Sequence, residues 1–132
     1  MTHADRTLNR VNYRMKQSAD ALTVATELVD AGVASGSINR SYYAVFHAAS
    51  ALLATRRMAS SKHKDVIDLF EREFVTTGLV PSAVSRILRR NSEMRLKADY
   101  GETQVFTTDD AKTALTDARA FVETAREVLA CP

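Results

Sequence analysis

An arginine and a histidine, Arg40 and His47, stand seven residues apart in a stretch with helical character. Two turns of an α-helix bring both side chains onto one face, about 10 Å apart along the axis. Imidazole changes its charge near neutral pH, whereas guanidinium stays a cation. The chemistry open to this pair is therefore proton transfer beside a fixed positive charge.

The rest of that helix face is occupied by alanine. The opposite face is apolar, and we predict that it packs in the main core. Its residues are Ile38, Tyr42, Val45, Ala49, Leu52 and Leu53. A solvated face would normally carry Lys, Glu or Gln, so a stripe of small residues indicates a second close-packed surface. A second copy of the chain around a two-fold axis is the simplest partner for it. We therefore expect a homodimer through this helix, in which two Arg40/His47 pairs form one cleft and the interface alanines are Ala44, Ala51 and Ala54.

Simpler interpretations of the pair stay open. A lone histidine on a helix is usually a surface or packing residue, and Arg40 could brace the loop before the helix. A metal site is not predicted, because the remaining histidines are His3 and His63 and no Glu-x-x-His or His-Glu-x-x-His spacing occurs. No glycine-rich phosphate loop and no hydrolase or kinase signature is present, so no cofactor is expected.

The composition indicates one helical domain. The chain has 132 residues, of which 45% are hydrophobic and 26% charged, with four glycines and two prolines. So few helix breakers leave little room for the tight turns of an all-β fold. A single cysteine, Cys131, excludes a disulfide framework and a thiolate-built zinc site within one chain.

Five helices follow from the 3.6-residue hydrophobic period. We predict them over residues 5–31, 38–58 and 62–76, from Pro81-Ser82 onward, and from Thr107 or Thr108 onward. Gly32 should end the first helix, and residues 32–37 should form a flexible connector in which Ser37 caps the second. Residues 99–107 should form a loop. Short connections favour antiparallel neighbours, so the expected fold is an all-α, up-and-down bundle with a four-helix core.

The stretch over residues 39–53, NRSYYAVFHAASALL, resembles the motif helix of HEPN-domain proteins, in which an Arg precedes a His on one helix. Here six residues separate Arg40 from His47. The segments SSKHKDVIDLF (60–70) and RLKADY (95–100) are also similar to small stand-alone members of the family. The resemblance covers roughly residues 10–130.

The resemblance implies a helical bundle that dimerises through its motif helices. Active members are metal-independent endoribonucleases in which the RNA 2′-OH attacks the neighbouring phosphate, leaving a 2′,3′-cyclic phosphate and a 5′-OH. It implies that His47 is the acid–base group and that Arg40 holds the scissile phosphate. The resemblance also places Ser41 in the catalytic set, at the position where the family commonly has a polar Asn, Asp or His. Val45 stands where one toxin branch carries a tyrosine that its partner enzyme modifies, so that regulation is not implied here.

A basic segment in the fourth helix is hidden by the net charge of +2. Arg86, Arg89 and Arg90 should point away from the apolar face and could bind the RNA backbone. Lys62 and Lys64 could extend this patch toward the motif helix. The simpler alternative is a solvated helix face.

Two functions are consistent with these features. The first is a ribonuclease toxin, for which the resemblance implies a small nucleotidyltransferase-like (MNT) protein as antitoxin. The second is a non-catalytic HEPN module that binds a nucleotide, RNA or a protein partner. The sequence shows no secretory signal and no apolar stretch of about 18 residues, so a cytoplasmic location without membrane contact is expected.

Overall fold

Five α-helices make up the computed structural model, which describes residues 2–101 and 105–131. They are α1 (His3–Asp30), α2 (Ala34–Ala54), α3 (His63–Phe70), α4 (Ser82–Tyr100) and α5 (Thr108–Ala130). A short π-helical segment, Glu71–Val75, extends α3. The described residues contain no strand, and the predicted all-α fold is confirmed.

Helices α1, α2, α4 and α5 form a four-helix core, and the short α3 packs beside it on α2. The α1–α2 pair is antiparallel, since residue 25 of α1 contacts residue 37 of α2 while residue 18 contacts residue 44. Helix α2 lies at the centre, with 14 of its 21 residues buried. The motif helix is therefore the most enclosed element of the fold.

Capping residues explain where the two longest helices begin. Thr2 accepts a hydrogen bond from the Asp5 backbone N–H, and the Asp5 carboxylate accepts one from the Thr2 backbone N–H. The same reciprocal arrangement joins Thr107 and Asp110 at the start of α5. Each capping box satisfies two backbone donors that the first helical turn leaves free.

The connection between α1 and α2 is shorter than expected. Gly32, at φ +77°, ends α1 in the left-handed conformation, and the Val33 N–H donates to Leu28 O at 2.8 Å in a 6→1 bond. Helix α2 then begins at Ala34. Ser37 is consequently not a cap: it is fully buried within α2, where its hydroxyl donates to Ala25 O of α1 at 2.8 Å.

Two further boundaries differ from the prediction. Helix α2 ends at Ala54 rather than near residue 58, because the backbone turns through Arg57 at φ +59°. Helix α4 continues to Tyr100, so the predicted loop over 99–107 starts two residues late, at Gly101. Residues 102–104 of that loop lie outside the described part of the chain.

The alanine stripe of α2 is covered by the chain's own first helix. Ala44 and Ala51 are 0% exposed and Ala54 is 9% exposed. The Ala44 carbonyl accepts a hydrogen bond from Ser18, and Ala51 and Ala54 pack with Val11 of α1. The prediction that these alanines face a second copy is wrong, because α1 supplies the close-packed surface that the stripe requires.

Candidate active site

A groove between α1 and α2 brings Arg40 and His47 together. It encloses about 250 Å³ and is lined by Gln17, Asp20, Ala21, Val24, Arg40 and His47. We call it the Arg40–His47 groove. The two helices meet at small residues, so the long side chains at its edges form its walls. The pair predicted from the sequence thus shares one opening of this chain.

Arg40 is held in place by the residue before it. Its Nε and one terminal nitrogen donate to Asn39 Oδ1 at 3.0 and 2.8 Å, and its guanidinium lies 4.7 Å from the centre of the Tyr43 ring. The Asn39 amide in turn donates to both carboxylate oxygens of Asp99 on α4, at 3.2 and 3.0 Å. Two of the five guanidinium N–H groups are occupied in this way, so three remain for an anion.

His47 is paired with a cation from α1. Arg14 Nη1 lies 3.0 Å from His47 Nδ1. A guanidinium only donates hydrogen bonds, so Nδ1 is the acceptor and the ring proton of the neutral imidazole sits on Nε2. Partial burial, with the positive charges of Arg14 and Arg40, lowers the pKa of His47 to about 4. The ring is therefore neutral at pH 7.

An aromatic cluster continues from His47 toward α3. Phe46 lies between two imidazoles: its ring centre is 5.8 Å from that of His47 and 4.6 Å from that of His63, on which it stacks. His63 Nδ1 and the Tyr42 hydroxyl share a hydrogen bond of 2.6 Å. Burial raises the pKa of Tyr42 to about 12, and burial together with Arg95 lowers the pKa of His63. His63 is thus a second neutral imidazole next to the motif helix.

Ser41 does not take part in this arrangement. It is fully buried, and its hydroxyl has no hydrogen-bond partner among the described residues. The expectation that Ser41 belongs to the catalytic set is corrected, because Asn39 on its other side supplies the polar contact to Arg40.

The predicted RNA-binding residues divide into two groups. Arg89 donates to Glu71 at 2.8 Å, and Arg90 donates to Asp117 at 3.1 Å, so acidic neighbours already compensate these two charges. Arg86 is exposed and has no ion pair with any described residue. Lys62 and Lys64 are exposed at the start of α3, on either side of His63.

Sequence reasoning missed Arg14, Asn39 and Asp99. Asn39 precedes Arg40 directly, and an asparagine next to a cation is a usable signal for a polar contact, although this contact was not predicted. Arg14 carried a usable signal, since Arg10, Tyr13 and Arg14 share one face of α1 at helical spacing. Asp99 lies in the segment RLKADY that carries part of the resemblance, but its contact with Asn39, 60 residues away, could not be predicted from the sequence.

Neither a metal-ligating cluster nor a membrane-spanning helix occurs among the described residues. Residues 2–101 and 105–131 contain no group of three His, Cys, Asp or Glu side chains placed to hold a metal ion. Within the same residues, every helix is either too short or too polar to cross a membrane.

Comparison with known proteins identifies the family. A family model for the HEPN domain matches residues 11–128. The chain belongs to the HEPN domain family. It is 31% identical over 119 residues to a UPF0332 protein of Thermotoga maritima, covering 90% of both chains. It is 36% identical over 93 residues to "Putative toxin MJ0605" of Methanocaldococcus jannaschii, covering 70% of this chain and 69% of the relative. A UPF0332 protein of Gloeobacter violaceus is 30% identical over 117 residues, covering 88% and 93%.

Proposed function

We propose that this HEPN protein is a metal-independent endoribonuclease whose catalytic residues are Arg40 and His47. The observation that carries the proposal is that a neutral imidazole and a fixed guanidinium with free donors line one groove. A neutral imidazole can accept a proton, and guanidinium donors fit the oxygens of a phosphodiester. Arg40 lines the groove and Arg14 contacts His47, so two cations lie next to the opening. The one acid among its lining residues, Asp20, is paired with Lys16, so an anionic substrate such as RNA is favoured.

The reaction is an internal transesterification. His47 accepts the proton of a ribose 2′-OH, and the resulting oxygen attacks the adjacent phosphorus. The bond from phosphorus to the 5′-oxygen of the next nucleotide breaks, which leaves a 2′,3′-cyclic phosphate and a 5′-oxyanion. This oxyanion takes a proton from water to become the 5′-OH, and His47 releases its proton to the solvent. The free N–H groups of Arg40 stabilise the negative charge that develops on the phosphate oxygens.

Arg14 must release His47 before the ring can act as a base through Nδ1. In the free protein, this lone pair accepts the Arg14 N–H. A phosphate in the groove competes for the same guanidinium and forms a charge-assisted hydrogen bond with it. Its negative charge also offsets those of Arg14 and Arg40, which raises the pKa of His47 toward the neutral range. Substrate thus activates its own base.

The biological context we propose is a toxin–antitoxin pair in the cytoplasm. Two relatives are named as toxins, "Putative toxin MJ0605" and "Putative toxin MJ0142", which supports the toxin half. The partner would be a nucleotidyltransferase-like (MNT) antitoxin. We further propose that two copies meet through the surface that α2 leaves exposed around the Arg40–His47 groove, so that two pairs share one cleft.

One cleavage assay tests the activity. Purified protein is incubated with a structured RNA in the presence of EDTA, and wild type is compared with Arg40→Ala, His47→Ala and the control His3→Ala. We expect cleavage by wild type and by the control, 2′,3′-cyclic phosphate ends, and no cleavage where the scissile nucleotide carries a 2′-deoxyribose. Absence of cleavage by wild type, or cleavage by both Arg40→Ala and His47→Ala at the wild-type rate, contradicts the proposal.

A second candidate is a non-catalytic module that binds RNA, a nucleotide or a protein. The observation that favours it is the Arg14–His47 contact, because a base with an occupied lone pair and a pKa of about 4 is inactive as it stands. RNA binding that is weakened by Arg40→Ala, without cleavage under any condition, would establish the module instead.

A further inference from the structure

A second cavity lies on the other side of Arg14 from His47. It encloses about 290 Å³ between α1, the end of α2 and the segment that leads to α3. Arg14 lines this cavity while its Nη1 contacts His47, so one guanidinium serves both places. We call it the Arg14 pocket.

The Arg14 pocket has a cationic edge and apolar walls. Arg10 and Arg14 stand one turn apart on α1, and Arg10 has no ion pair with any described residue. Leu53, Met58 and Val66 form apolar walls. Tyr13 lies between the two arginines in sequence and is 62% exposed, so its ring is free to stack on a flat ligand.

A buried polar atom at the pocket is unpaired. Ser50 of α2 is 9% exposed and lines the cavity, and its hydroxyl has no hydrogen-bond partner among the described residues. A buried hydroxyl without a partner costs free energy, which a polar ligand atom would recover. The unpaired group therefore points to an occupant with a polar edge.

We propose that the Arg14 pocket binds one nucleotide, with its phosphate on Arg10 and Arg14 and its base against Tyr13 and the apolar walls. A phosphate matches two guanidinium groups, and a nucleobase combines a flat stacking face with polar edge atoms such as Ser50 requires. Because Arg14 also contacts His47, the bound nucleotide lies next to the one whose phosphate enters the Arg40–His47 groove. This assignment rests on the proposed function in taking RNA as the source of the nucleotide.

Calorimetric titration of the full chain tests the pocket without any cleavage. The probes are uridine 3′-monophosphate, adenosine 3′-monophosphate, adenosine and inorganic phosphate. We expect at least one nucleotide to bind more tightly than both adenosine and phosphate. Arg10→Ala should weaken nucleotide binding about tenfold, the effect of one charge-assisted hydrogen bond. Arg6→Ala, an exposed arginine one turn earlier, is the control and should leave the Kd unchanged.

Filling the pocket gives a second variant. Ala59 is exposed at its rim, so Ala59→Trp should block the cavity and leave the fold intact; Ala83→Trp, at an exposed position on α4, is the matched control. Thermal unfolding verifies that both variants fold. The proposal is overturned if phosphate binds as tightly as the nucleotides, or if Arg10→Ala and Ala59→Trp both leave nucleotide binding unchanged.

A 2′-O-methylated RNA oligonucleotide, which cannot be cleaved, separates RNA from free nucleotide. Weaker binding of this RNA by Ala59→Trp supports the assignment, whereas loss of nucleotide binding with unchanged RNA affinity overturns it in favour of a free nucleotide. Pocket-dependent binding by a protein that cleaves no RNA would reject the proposed activity and retain the pocket. RNA cleavage by a protein that binds no nucleotide would reject the pocket and retain the proposed activity.

Discussion

Arg14 of α1 donates a hydrogen bond to Nδ1 of His47 on α2 across a distance of 3.0 Å. The contact sets the tautomer of the imidazole and places a second cation beside it. Because the contact is made by a long side chain at the edge of a groove, a ligand can exchange it without moving either helix. In the proposed function, the contact links substrate binding to the protonation state of His47.

The first prediction concerns the pKa of His47. NMR titration of the imidazole from about pH 3 to about pH 8 should give a value near 4 in the wild type, well below the ordinary 6.5. Arg14→Met should raise the pKa, because one neighbouring cation is removed. The pKa should still stay below 6.5, because burial is the largest cause of the shift. Arg6→Met is the control, and an unchanged value in Arg14→Met would contradict the role of the contact.

A stability change with pH follows from the same shift. His47 takes up its proton at higher pH in the unfolded chain than in the folded one, so the unfolded state binds more protons between about pH 6.5 and about pH 4. The free energy of unfolding should therefore fall as the pH is lowered through this window. Urea titrations at several pH values measure the slope. His47→Gln should make it shallower; an identical slope in this variant would assign the effect to other groups.

Asn39 is predicted to be a positioning residue. Asn39→Ala removes the acceptor that fixes Arg40 and the donor that binds Asp99. We expect kcat to fall by about tenfold to a hundredfold with a smaller change in KM, since a loosened guanidinium loses its alignment on the transition state. The measurement is steady-state cleavage of a defined RNA. A variant that loses only RNA affinity would show that Asn39 contributes to binding instead.

Ser41→Ala should leave cleavage at the wild-type rate. The Ser41 hydroxyl is buried without a partner among the described residues, so its removal sacrifices no hydrogen bond that the structure shows. Stability should be unchanged or increased by up to about 1 kcal/mol, because an unpaired polar group leaves the interior. Thermal melts and the cleavage assay measure both effects. A large loss of activity in a folded variant would restore Ser41 to the site.

Salt dependence distinguishes the candidate RNA contacts. Lys62→Ala should reduce the slope of log Kd against log salt by about 0.7 to 0.9, the contribution of one phosphate contact. Arg89→Ala should leave the slope nearly unchanged, because Glu71 and Asp68 already compensate that charge. Equal losses of slope in the two variants would show that RNA displaces the Arg89 ion pair.

The proposed dimer can be tested by a substitution at a partly exposed position, which leaves the packing of the core unchanged. Val24 is 39% exposed and lines the Arg40–His47 groove, so Val24→Glu should raise the monomer fraction in sedimentation experiments. Val105→Glu, at a position 88% exposed outside the helices, is the control. If Val24→Glu and wild type both sediment as dimers, the interface lies elsewhere. Substitution of Ala44 is unsuitable, because a charge there would disrupt the packing of α1 on α2.

The sequence was sufficient for the helix pattern and for placing Arg40 and His47 on one face of α2, but it placed their cleft between two copies of the chain. The hydrophobic period, the glycines and the threonine pair at 107–108 are local signals, and they predicted all five helices, whereas the Thr2 cap was not predicted. The stripe of Ala44 and Ala51 was correctly interpreted as a close-packed surface, but its partner was wrong. Spacing within one helix shows that a face is covered and does not show which element covers it.

The remaining features of the site depend on contacts between distant parts of the chain. The Arg14–His47 contact spans 33 residues and the Asn39–Asp99 contact spans 60. The residue type alone does not show whether a serine is buried or exposed. The burial of Ser41 could therefore not be predicted before the fold was known. Likewise, the positive charge of Arg89 and Arg90 is visible in the sequence, whereas the acids that compensate it come from other helices.

The hydrogen bonds from Ser18 to the Ala44 carbonyl and from Ser37 to the Ala25 carbonyl fix the separation of α1 and α2 at both ends of the groove. The width of the opening is therefore set by residues that no substrate touches. One added methylene at Ala44 would spread the walls and shift Arg40 and His47 relative to α1. If the proposed function holds, relatives with the same residues at positions 40 and 47 can differ in the RNA they accept because the floor of the groove differs, and a comparison of those two positions would find no difference.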